Sequence, residues 1–239
     1  RSLVGSEMCI RDRCTHEYWR SNGKFVPNVT LRLASGGYIG GGLYHSQNIE
    51  GALATLPGAR IVCPSFADDA AGLLRTSMRS RGFTLFLEPK ALYNSVEAST
   101  IVPDDFEVPF GKARIRREGS DLSIITYGNT THFCLNVAER LEKEAGWSVE
   151  VIDIRSLIPL DKETIYESVK KTSKALIVHE DKVFAGFGGE IAASIGTDLF
   201  RYLDAPVQRV GSTFTPVGFN PILELSLIHI SEPTRLRCI

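Results

Sequence analysis

Residues 60–89, RIVCPSFADDAAGLLRTSMRSRGFTLFLEP, decide the fold class of this 239-residue chain. The stretch contains two short apolar runs, at 60–63 and 83–87, which predict buried strands. Between them, residues 67–80 predict a helix with Ser65 as its N-cap. Because a strand, a helix and a strand at this spacing form a right-handed crossover, the stretch predicts a parallel α/β sheet.

The sequence on either side extends this alternation into two blocks. Upstream, residues 29–33 predict a strand and residues 48–56 a short helix. Downstream, residues 93–117 predict a connector that ends in a strand. A second α/β block follows, with strands expected at 122–126, 148–154, 175–178 and 207–210, and helices at 131–145, 162–171 and 189–202. Asp161 is the expected cap of its middle helix, and residues 157–159 are expected to form a turn.

Composition favours an ordinary globular protein. The chain is 43% hydrophobic and 23% charged, with a formal net charge of −1. That balance indicates neither a nucleic-acid partner nor an anionic membrane surface, and no apolar run is long enough to cross a bilayer. The five cysteines form no CxxC pair, so we expect no zinc or redox site. Cys63 and Cys134 are interpreted as buried apolar residues of a cytoplasmic protein.

The two ends differ from the sequence between them. The peptides LVGSEMCIRDR (3–13) and LSLIHISEPTR (225–235) can be encoded by opposite strands of one DNA element. That element resembles a transposon-type sequencing-library adapter. Residues 1–13 and 225–239 are therefore interpreted as adapter-like artefact and set aside from the fold.

The run YIGGGLYHSQ (38–47) is the main candidate for chemistry. It joins a predicted strand to a predicted helix, which is where α/β proteins place functional loops. Its glycine spacing matches neither a dinucleotide fingerprint nor a P-loop. His45 can donate or accept a proton near neutral pH. Ser46 and Gln47 have a plainer interpretation, as caps of the following helix.

Other polar groups carry plainer interpretations. His179, Glu180 and Asp181 predict a solvated turn, and His132 is expected at the start of a helix. Glu88-Pro89-Lys90 predicts a salt-linked turn, with contact to a partner subunit or cofactor loop as the minority reading. No metal-ligand spacing and no nucleophile elbow is present.

Several runs in order carry a resemblance that no single run would carry. They are LYHSQ (43–47), LPGARIVCPS (56–65), DDAAGLLRTSMR (68–79), FLEPKALY (86–93), VPFGKARIRREGSDLSIITYG (108–128), VEVIDIRSLIPLD (149–161), ALIVHED (175–181) and FGGEIAASI (187–195). Together they resemble the beta subunit of thiamine-diphosphate-dependent 2-oxo acid dehydrogenases, over its C-terminal two-thirds.

The resemblance implies an α/β fold of two domains. Residues 14–103 would be the C-terminal half of a thiamine-diphosphate pyrimidine-binding domain. Residues 104–224 would be a transketolase C-terminal-like α/β domain. The matching segment would be a fragment, because the family carries a further N-terminal stretch with a glutamate that bonds the cofactor's aminopyrimidine. No residue in 14–224 corresponds to that glutamate.

The resemblance also implies a cofactor, partners and a role for His45. Thiamine diphosphate would be shared with an alpha subunit, which would hold the diphosphate and Mg²⁺. An α2β2 heterotetramer or a fused chain would pass the acyl group to the lipoyl domain of an acyltransferase core. His45 would protonate during reductive acylation of the lipoyl disulfide. The residue pair Leu43-Tyr44 favours branched-chain 2-oxo acids.

The alternatives stay open at this point. The close ones are pyruvate or acetoin dehydrogenase; 1-deoxyxylulose-5-phosphate synthase and transketolase fit the runs less well. A non-catalytic assembly module is the alternative from another class. Some members bind a monovalent cation such as K⁺, for which Thr30 is the matching residue. Ser80 and Gly82 replace the acidic and amide residues of that site.

Overall fold

The computed structural model describes residues 10–229, which form two sheets flanked by helices. In this part of the chain the α-helices are α1 (Glu17–Arg20), α2 (Gly42–His45), α3 (Glu50–Leu53), α4 (Ala67–Arg79), α5 (Thr130–Ala145), α6 (Lys162–Thr172), α7 (Gly188–Asp198) and α8 (Pro221–His229). The strands are β1 (Val29–Ser35), β2 (Ala59–Val62), β3 (Phe83–Pro89), β4 (Arg114–Arg117), β5 (Leu122–Thr126), β6 (Val149–Asp153), β7 (Ser156–Ile158), β8 (Ala175–Lys182) and β9 (Gln208–Ser212). Most of the adapter-like segments, 1–13 and 225–239, lies outside the described residues, although α8 runs across position 225.

The first sheet has the strand order β1-β3-β2-β7. Its first three strands are parallel, as the strand–helix–strand pattern predicts. The fourth is a correction, because residues 157–159 were expected to form a turn. Instead β7 pairs antiparallel with β2, placing Ile158 opposite Ile61. A three-residue strand is too short to show a pattern, and the burial of Leu157 in the shared core fixes it here.

The second sheet has the strand order β4-β6-β5-β8-β9. The strands β6, β5, β8 and β9 run parallel, and β4 adds an antiparallel edge. Every residue of β5 and β6 is buried, which is typical of parallel strands covered on both faces. Asp161 caps α6 as expected, because its carboxylate accepts the Thr164 amide at 3.2 Å.

One apolar core joins the two sheets. Ile61 and Leu85 of the first sheet belong to the same buried cluster as Ile152 and Ile177 of the second. Leu157 on β7 belongs to it too, so this strand connects the two halves. Each such fully buried side chain contributes about 1.5–3 kcal/mol. Among the described residues, no helix has the length and apolar content that a membrane crossing needs.

The start of α4 differs from the prediction. Phe66 occupies the N-cap position and makes no side-chain cap bond. The Ser65 hydroxyl, expected to cap the helix, instead donates to Asp153 Oδ1 at 2.9 Å. The first amides of the helix are met elsewhere, with Ala67 N–H donating to the Ala98 carbonyl at 2.9 Å. A hydrogen bond to a buried carboxylate is stronger than a bond to a backbone amide. The Ser65 hydroxyl therefore bonds Asp153 rather than capping the helix.

Several helices and strands end at residues other than those predicted. Helix α3 covers only Glu50–Leu53, and α7 ends at Asp198 before a short 3₁₀ turn at Phe200–Tyr202. Strand β8 extends to Lys182, four residues beyond its predicted end. This extension matters for the site, because two of its four polar residues, Glu180 and Lys182, bond the glycine-rich loop.

Candidate functional site

The glycine-rich loop leaves the carboxyl end of β1 and leads to His45. It turns through positive φ angles at Gly36 (82°), Tyr38 (64°) and Gly40 (66°). Two features require glycine at position 36. Its φ is positive, and a Cβ there would lie 2.6 Å from the Glu180 carboxylate. The loop closes on itself where Gly36 N–H donates to the Gln47 carbonyl at 3.3 Å. We call residues 36–47 the histidine loop.

Two carboxylates of the second domain bind the backbone of the histidine loop. Glu180 on β8 accepts the Gly37 amide at 2.6 Å. Glu224 on α8 accepts the Tyr38 amide at 2.6 Å and the Gly40 amide at 3.3 Å. Both carboxylates are buried. The first half of the loop is therefore fixed by charge-assisted hydrogen bonds from a different domain.

Two lysines bind the second half of the loop. Lys182, at the end of β8, donates to Gln47 Oε1 at 2.7 Å. Lys90, which follows β3, donates to the His45 backbone carbonyl. Gln47 also donates to the Leu43 carbonyl at 3.1 Å, so its side chain is used inside the loop. The capping roles expected for Ser46 and Gln47 are therefore wrong, and within the described residues the buried Ser46 hydroxyl has no hydrogen-bond partner.

His45 is the last residue of the short helix α2 and is exposed. The structure records no hydrogen bond or ion pair of its imidazole with any described residue. Leu43 and Tyr44 beside it are exposed as well. The arrangement thus combines a fixed backbone with an imidazole that is open to a group arriving from outside the chain.

Glu50 lies directly behind the histidine loop, at the start of α3. It is almost fully buried and accepts the Tyr127 hydroxyl at 3.1 Å and the Ile49 amide at 3.1 Å. Burial and, after it, the negative charge of Asp181 raise the pKa of Glu50 to about 7. Burial likewise raises the pKa values of Glu180 and Asp181. Glu50, Glu180 and Asp181 thus form a group of carboxyls with raised pKa values, and Glu180 bonds the histidine loop directly.

His179 is a correction, because a solvated turn was expected there. Its side chain is fully buried within β8. Neither ring nitrogen has a hydrogen-bond partner among the described residues, and burial lowers the pKa of the imidazole to about 4. Gly188 and Gly211 lie against the ring, so the neighbouring glycines make room for it. A neutral, packed imidazole is a structural group.

The remaining sequence candidates have structural partners. His132 lies in the first turn of α5, as predicted, with Nε2 2.8 Å from the Ser65 carbonyl oxygen. Glu88 pairs with Arg32 at 2.5 Å and accepts the Tyr93 hydroxyl at 2.7 Å, which fits the salt-linked turn. Its neighbour Lys90 departs from that reading, because it reaches the histidine loop.

The cation position predicted at Thr30 has a guanidinium nearby. Thr30, Thr84 and Arg60 form one row across β1, β3 and β2. Arg60 Nε donates to Thr84 Oγ1 at 3.1 Å, and its buried Nη2 has no hydrogen-bond partner among the described residues. A Cβ on Gly82 would lie 3.1 Å from that Nη2. The absence of an amide side chain at position 82 therefore makes room for the guanidinium.

Two buried carboxylates near the loop, Glu50 behind it and Glu224 bonded to it, are absent from the residues singled out in the sequence. Glu50 follows the HSQ triplet by three residues and could have been noted as an acid in the first turn of a helix. Glu224 offers no such signal, since its bonds to the loop span most of the chain. Cys63 and Cys134 are buried and unpaired in disulfides within the described residues, as expected.

Comparison with protein families matches both halves of the chain. Residues 17–96 match the transketolase pyrimidine-binding domain, and residues 111–231 match the transketolase C-terminal domain. Among solved structures, the chain resembles a split-gene transketolase described as an inactive beta4 tetramer. The TM-score is 0.70 at 21% identity, over 92% of this chain and 66% of that one. At that identity the likeness concerns the fold alone.

Individual relatives are more similar in sequence. The 2-oxoisovalerate dehydrogenase beta subunit of Bacillus subtilis is 41% identical over 86% of this chain and 63% of its own length. The mitochondrial 2-oxoisovalerate dehydrogenase beta subunit of Dictyostelium discoideum is 40% identical over 88% of this chain and 56% of its own length. The pyruvate dehydrogenase E1 beta subunit of Bacillus subtilis is 39% identical over 84% and 62%.

These identities do not separate the 2-oxoisovalerate relatives from the pyruvate relatives, since they differ by only a few per cent. The chain spans about three-fifths of the length of the Bacillus relatives. The two domain matches and the relatives point to the same group of thiamine-type enzymes. The chain belongs to the transketolase-type family of pyrimidine-binding and C-terminal domains, and the relatives it resembles in sequence are beta subunits of 2-oxo acid dehydrogenases.

Proposed function

We propose that this chain acts in a beta subunit that oxidatively decarboxylates a 2-oxo acid and passes the acyl group to lipoyl-lysine. One observation carries the proposal: the His45 imidazole is exposed, while the loop is bonded on both sides of it to charged side chains, through the Tyr38 backbone amide before it and the Gln47 side chain after it. A loop that is fixed in place yet ends in an open, titratable group is suited to proton transfer.

Thiamine diphosphate is the cofactor we propose, shared with an alpha subunit that supplies the diphosphate site and Mg²⁺. When bound, it provides the carbanion chemistry that removes CO₂ from the 2-oxo acid. Exposed Leu43 and Tyr44 beside His45 offer apolar contacts for its organic end, while no residue in 14–224 corresponds to the glutamate that would bond its aminopyrimidine. The described residues do not fit its metal end, since no group of three or more His, Cys, Asp or Glu among them could hold a metal ion.

His45 acts as the general acid in the transfer to the lipoyl disulfide. The carbon left after loss of CO₂ would carry an electron pair. As it bonds to one lipoyl sulfur it would be oxidised to the acyl level, and the sulfur–sulfur bond would break with an electron pair on the other sulfur. That sulfur would take the proton from the imidazole and become a thiol, and the bond between the carbon and the cofactor would then break to release the thioester. Histidine suits this step because it exchanges a proton near neutral pH.

Branched-chain 2-oxo acids are the substrates we favour. The support is the Leu43-Tyr44 pair next to His45 and the presence of 2-oxoisovalerate dehydrogenases among the relatives. Pyruvate and acetoin are the alternatives, and pyruvate dehydrogenases are nearly as similar. Comparing kcat/KM for 2-oxoisovalerate and pyruvate in the complete complex decides between them, since the preferred substrate has the larger value.

The partners we propose are an alpha subunit, in an α2β2 heterotetramer or a fused chain, and the lipoyl domain and core of an acyltransferase. Exposed apolar side chains of the histidine loop itself support this proposal, namely Ile39, Leu43 and Tyr44. Such side chains are typical of a surface that a partner covers.

The test replaces His45 in the complete complex. With His45→Ala, decarboxylation measured with an artificial electron acceptor should continue, while acyl transfer to a lipoyl domain should fall. If transfer proceeds unchanged, the proposed role of His45 is wrong. If the complete complex shows neither activity with any 2-oxo acid although it assembles, the non-catalytic assembly module becomes the better description.

The monovalent cation predicted at Thr30 stays a prediction, and the surrounding residues fit it poorly. Ser80 offers a hydroxyl where a carboxylate was expected, and Gly82 offers no side chain. The Arg60 guanidinium beside them already supplies a positive charge. A second cation next to it would be repelled, so we assign no step to K⁺.

A further inference from the structure

The histidine loop receives its bonds mainly from charged side chains of the second domain. We propose that Glu180, Lys182 and Glu224 are positioning residues for His45, so that the second domain sets the place of the imidazole in the acyl-transfer step. This inference rests on the proposed function of His45. It adds a role for three residues that do not face the open side of the loop.

Glu180 controls the point where the loop leaves β1. Its carboxylate accepts the Gly37 amide at 2.6 Å and lies where a Cβ of Gly36 would be. A side chain at position 36 would push the carboxylate away. Gly36 and Glu180 therefore form a fitted pair, and the first turn of the loop depends on this contact.

Glu224 controls the middle of the loop. One oxygen accepts the Tyr38 amide at 2.6 Å and the other accepts the Gly40 amide at 3.3 Å. Tyr38 has a positive φ of 64°, which residues with a Cβ rarely adopt. The two bonds to one buried carboxylate hold this unfavourable conformation in place.

Lys182 controls the end of the loop. It donates to Gln47 Oε1, two residues after His45, while Gln47 itself donates back to the Leu43 carbonyl. The second domain therefore bonds the loop on both sides of His45. Because α2 is only four residues long, it has little stability of its own, and these bonds decide where its last residue lies.

The buried charges of Glu180 and Glu224 distinguish their contacts with the histidine loop from ordinary domain packing. A turn can satisfy its amides with its own carbonyls or with water. Burying two carboxylates to do the same work costs free energy, because each loses its hydration. Burial raises the pKa of Glu180, and the Gly37 amide opposes that rise. Such a costly arrangement at the loop of the proposed proton donor is what a positioning role requires.

The first test follows the backbone amides of the loop by hydrogen exchange in the chain itself. Glu180→Gln should speed exchange at Gly37 at least about tenfold, and Glu224→Gln should do so at Tyr38 and Gly40, because an amide oxygen is a weaker acceptor than a carboxylate. Glu150→Gln is the matched control. Glu150 is equally buried in the same domain and bonds to Lys171 and the Gly119 amide instead.

The outcomes of this test are distinct. Faster exchange confined to the loop, with Glu150→Gln without effect there, supports the positioning role. If Glu150→Gln speeds exchange at the loop amides as much as Glu180→Gln and Glu224→Gln do, exchange at the loop follows the overall stability of the chain. That result would overturn the positioning role. Unchanged exchange in both the Glu180 and Glu224 variants would also overturn it.

The second test measures acyl transfer to a lipoyl domain in the complete complex. Glu224→Gln should lower transfer about tenfold while decarboxylation with an artificial acceptor stays within about twofold. In a His45→Ala background the same substitution should have no further effect on transfer. Equal loss of both activities, or an undiminished loss in the His45→Ala background, would overturn the inference. If His45→Ala itself leaves transfer intact, the proposed function fails, while the exchange test still decides whether the loop is held.

Discussion

Two polar clusters lie between the domains and balance their charges in opposite ways. The arginine network consists of Asp69, Arg116, Asp153 and Arg155. Arg116 contacts both carboxylates, and Arg155 bonds to Asp69 Oδ1 at 2.6 Å. All four residues are buried or nearly so, and the two positive charges match the two negative ones.

The carboxylate cluster consists of Glu50, Glu180, Asp181 and Glu224. Among the described residues, only Lys182 has an ion pair with it, at 3.7 Å from Asp181. Its carboxylate oxygens otherwise accept backbone amides, the Tyr127 hydroxyl and the Asn48 side-chain amide. In the arginine network, burial raises the pKa of Asp153 but Arg116 opposes the rise. In the carboxylate cluster, the rise at Glu50 is reinforced by Asp181.

The difference suggests two roles, one in holding the domains together and one in positioning a loop. In the arginine network the charges are balanced, so its ion pairs join the two domains without leaving an unpaired buried charge. An excess of buried carboxylates is costly, and it occurs where backbone amides of the histidine loop need acceptors. The first cluster should therefore govern global stability, and the second should govern the loop and its response to pH.

The largest effect should come from breaking the arginine network. Asp69→Ala leaves the buried guanidinium groups of Arg116 and Arg155 short of a partner. We expect the free energy of unfolding to fall by about 3–5 kcal/mol, measured by urea denaturation. Glu142→Ala is the control, because its pair with Arg117 is exposed and is worth at most about 1 kcal/mol. A loss below that of the control would contradict the structural role of the network.

The next effect concerns the fitted pair at the start of the histidine loop. Gly36→Ala combines a positive φ with a Cβ 2.6 Å from the Glu180 carboxylate, so it should cost about 2–3 kcal/mol. Gly40→Ala has a similar φ of 66° but meets nothing within 4 Å, and it should cost about 1 kcal/mol. Equal losses in urea denaturation would show that Glu180 does not constrain the loop.

Glu50 should make stability depend on pH. Its folded pKa of about 7 exceeds the ordinary value of 4.5, so the folded chain binds the extra proton. That stabilisation is complete below pH 4.5 and is lost as the pH rises through 7. Glu50→Gln should flatten the decline by on the order of 2 kcal/mol. Urea denaturation of both proteins at pH 5 and pH 8 checks this. If the free energy of unfolding falls equally in both, a group other than Glu50 causes the pH dependence.

The smallest effect should come from potassium. With Arg60 in place, exchanging K⁺ for choline at constant ionic strength should move Tm by less than about 1 °C. Arg60→Gln removes the guanidinium, and any binding of K⁺ near Thr30 should then appear as a rise in Tm. A clear rise in the unsubstituted chain would restore Thr30 as a cation ligand.

Much of the fold was predictable because its signals are local. The apolar runs of β2, β3 and β5 and the cap at Asp161 are read within a few residues. Strand β7 was not, because its partner β2 lies far away in the sequence and its burial decides its conformation. The histidine loop was found from its composition alone.

The groups around the loop were harder to predict. His179 carries a polar side chain into a buried strand, against the usual preference of histidine for the surface. Glu180 and Glu224 become acceptors only because the second domain packs against the loop. Such contacts depend on tertiary structure, and no periodicity in one sequence encodes them.

The most direct test is a single-turnover measurement on the complete complex with His45→Ala and, as control, Phe200→Ala, which removes an exposed side chain of the 3₁₀ turn after α7. We predict that His45→Ala slows acyl transfer to the lipoyl domain by about 10²–10⁴-fold and leaves decarboxylation within about threefold. Phe200→Ala should leave the transfer rate far closer to that of the unsubstituted enzyme. Equal slowing of both steps in the His45→Ala enzyme, or transfer at the original rate, would contradict the role of His45.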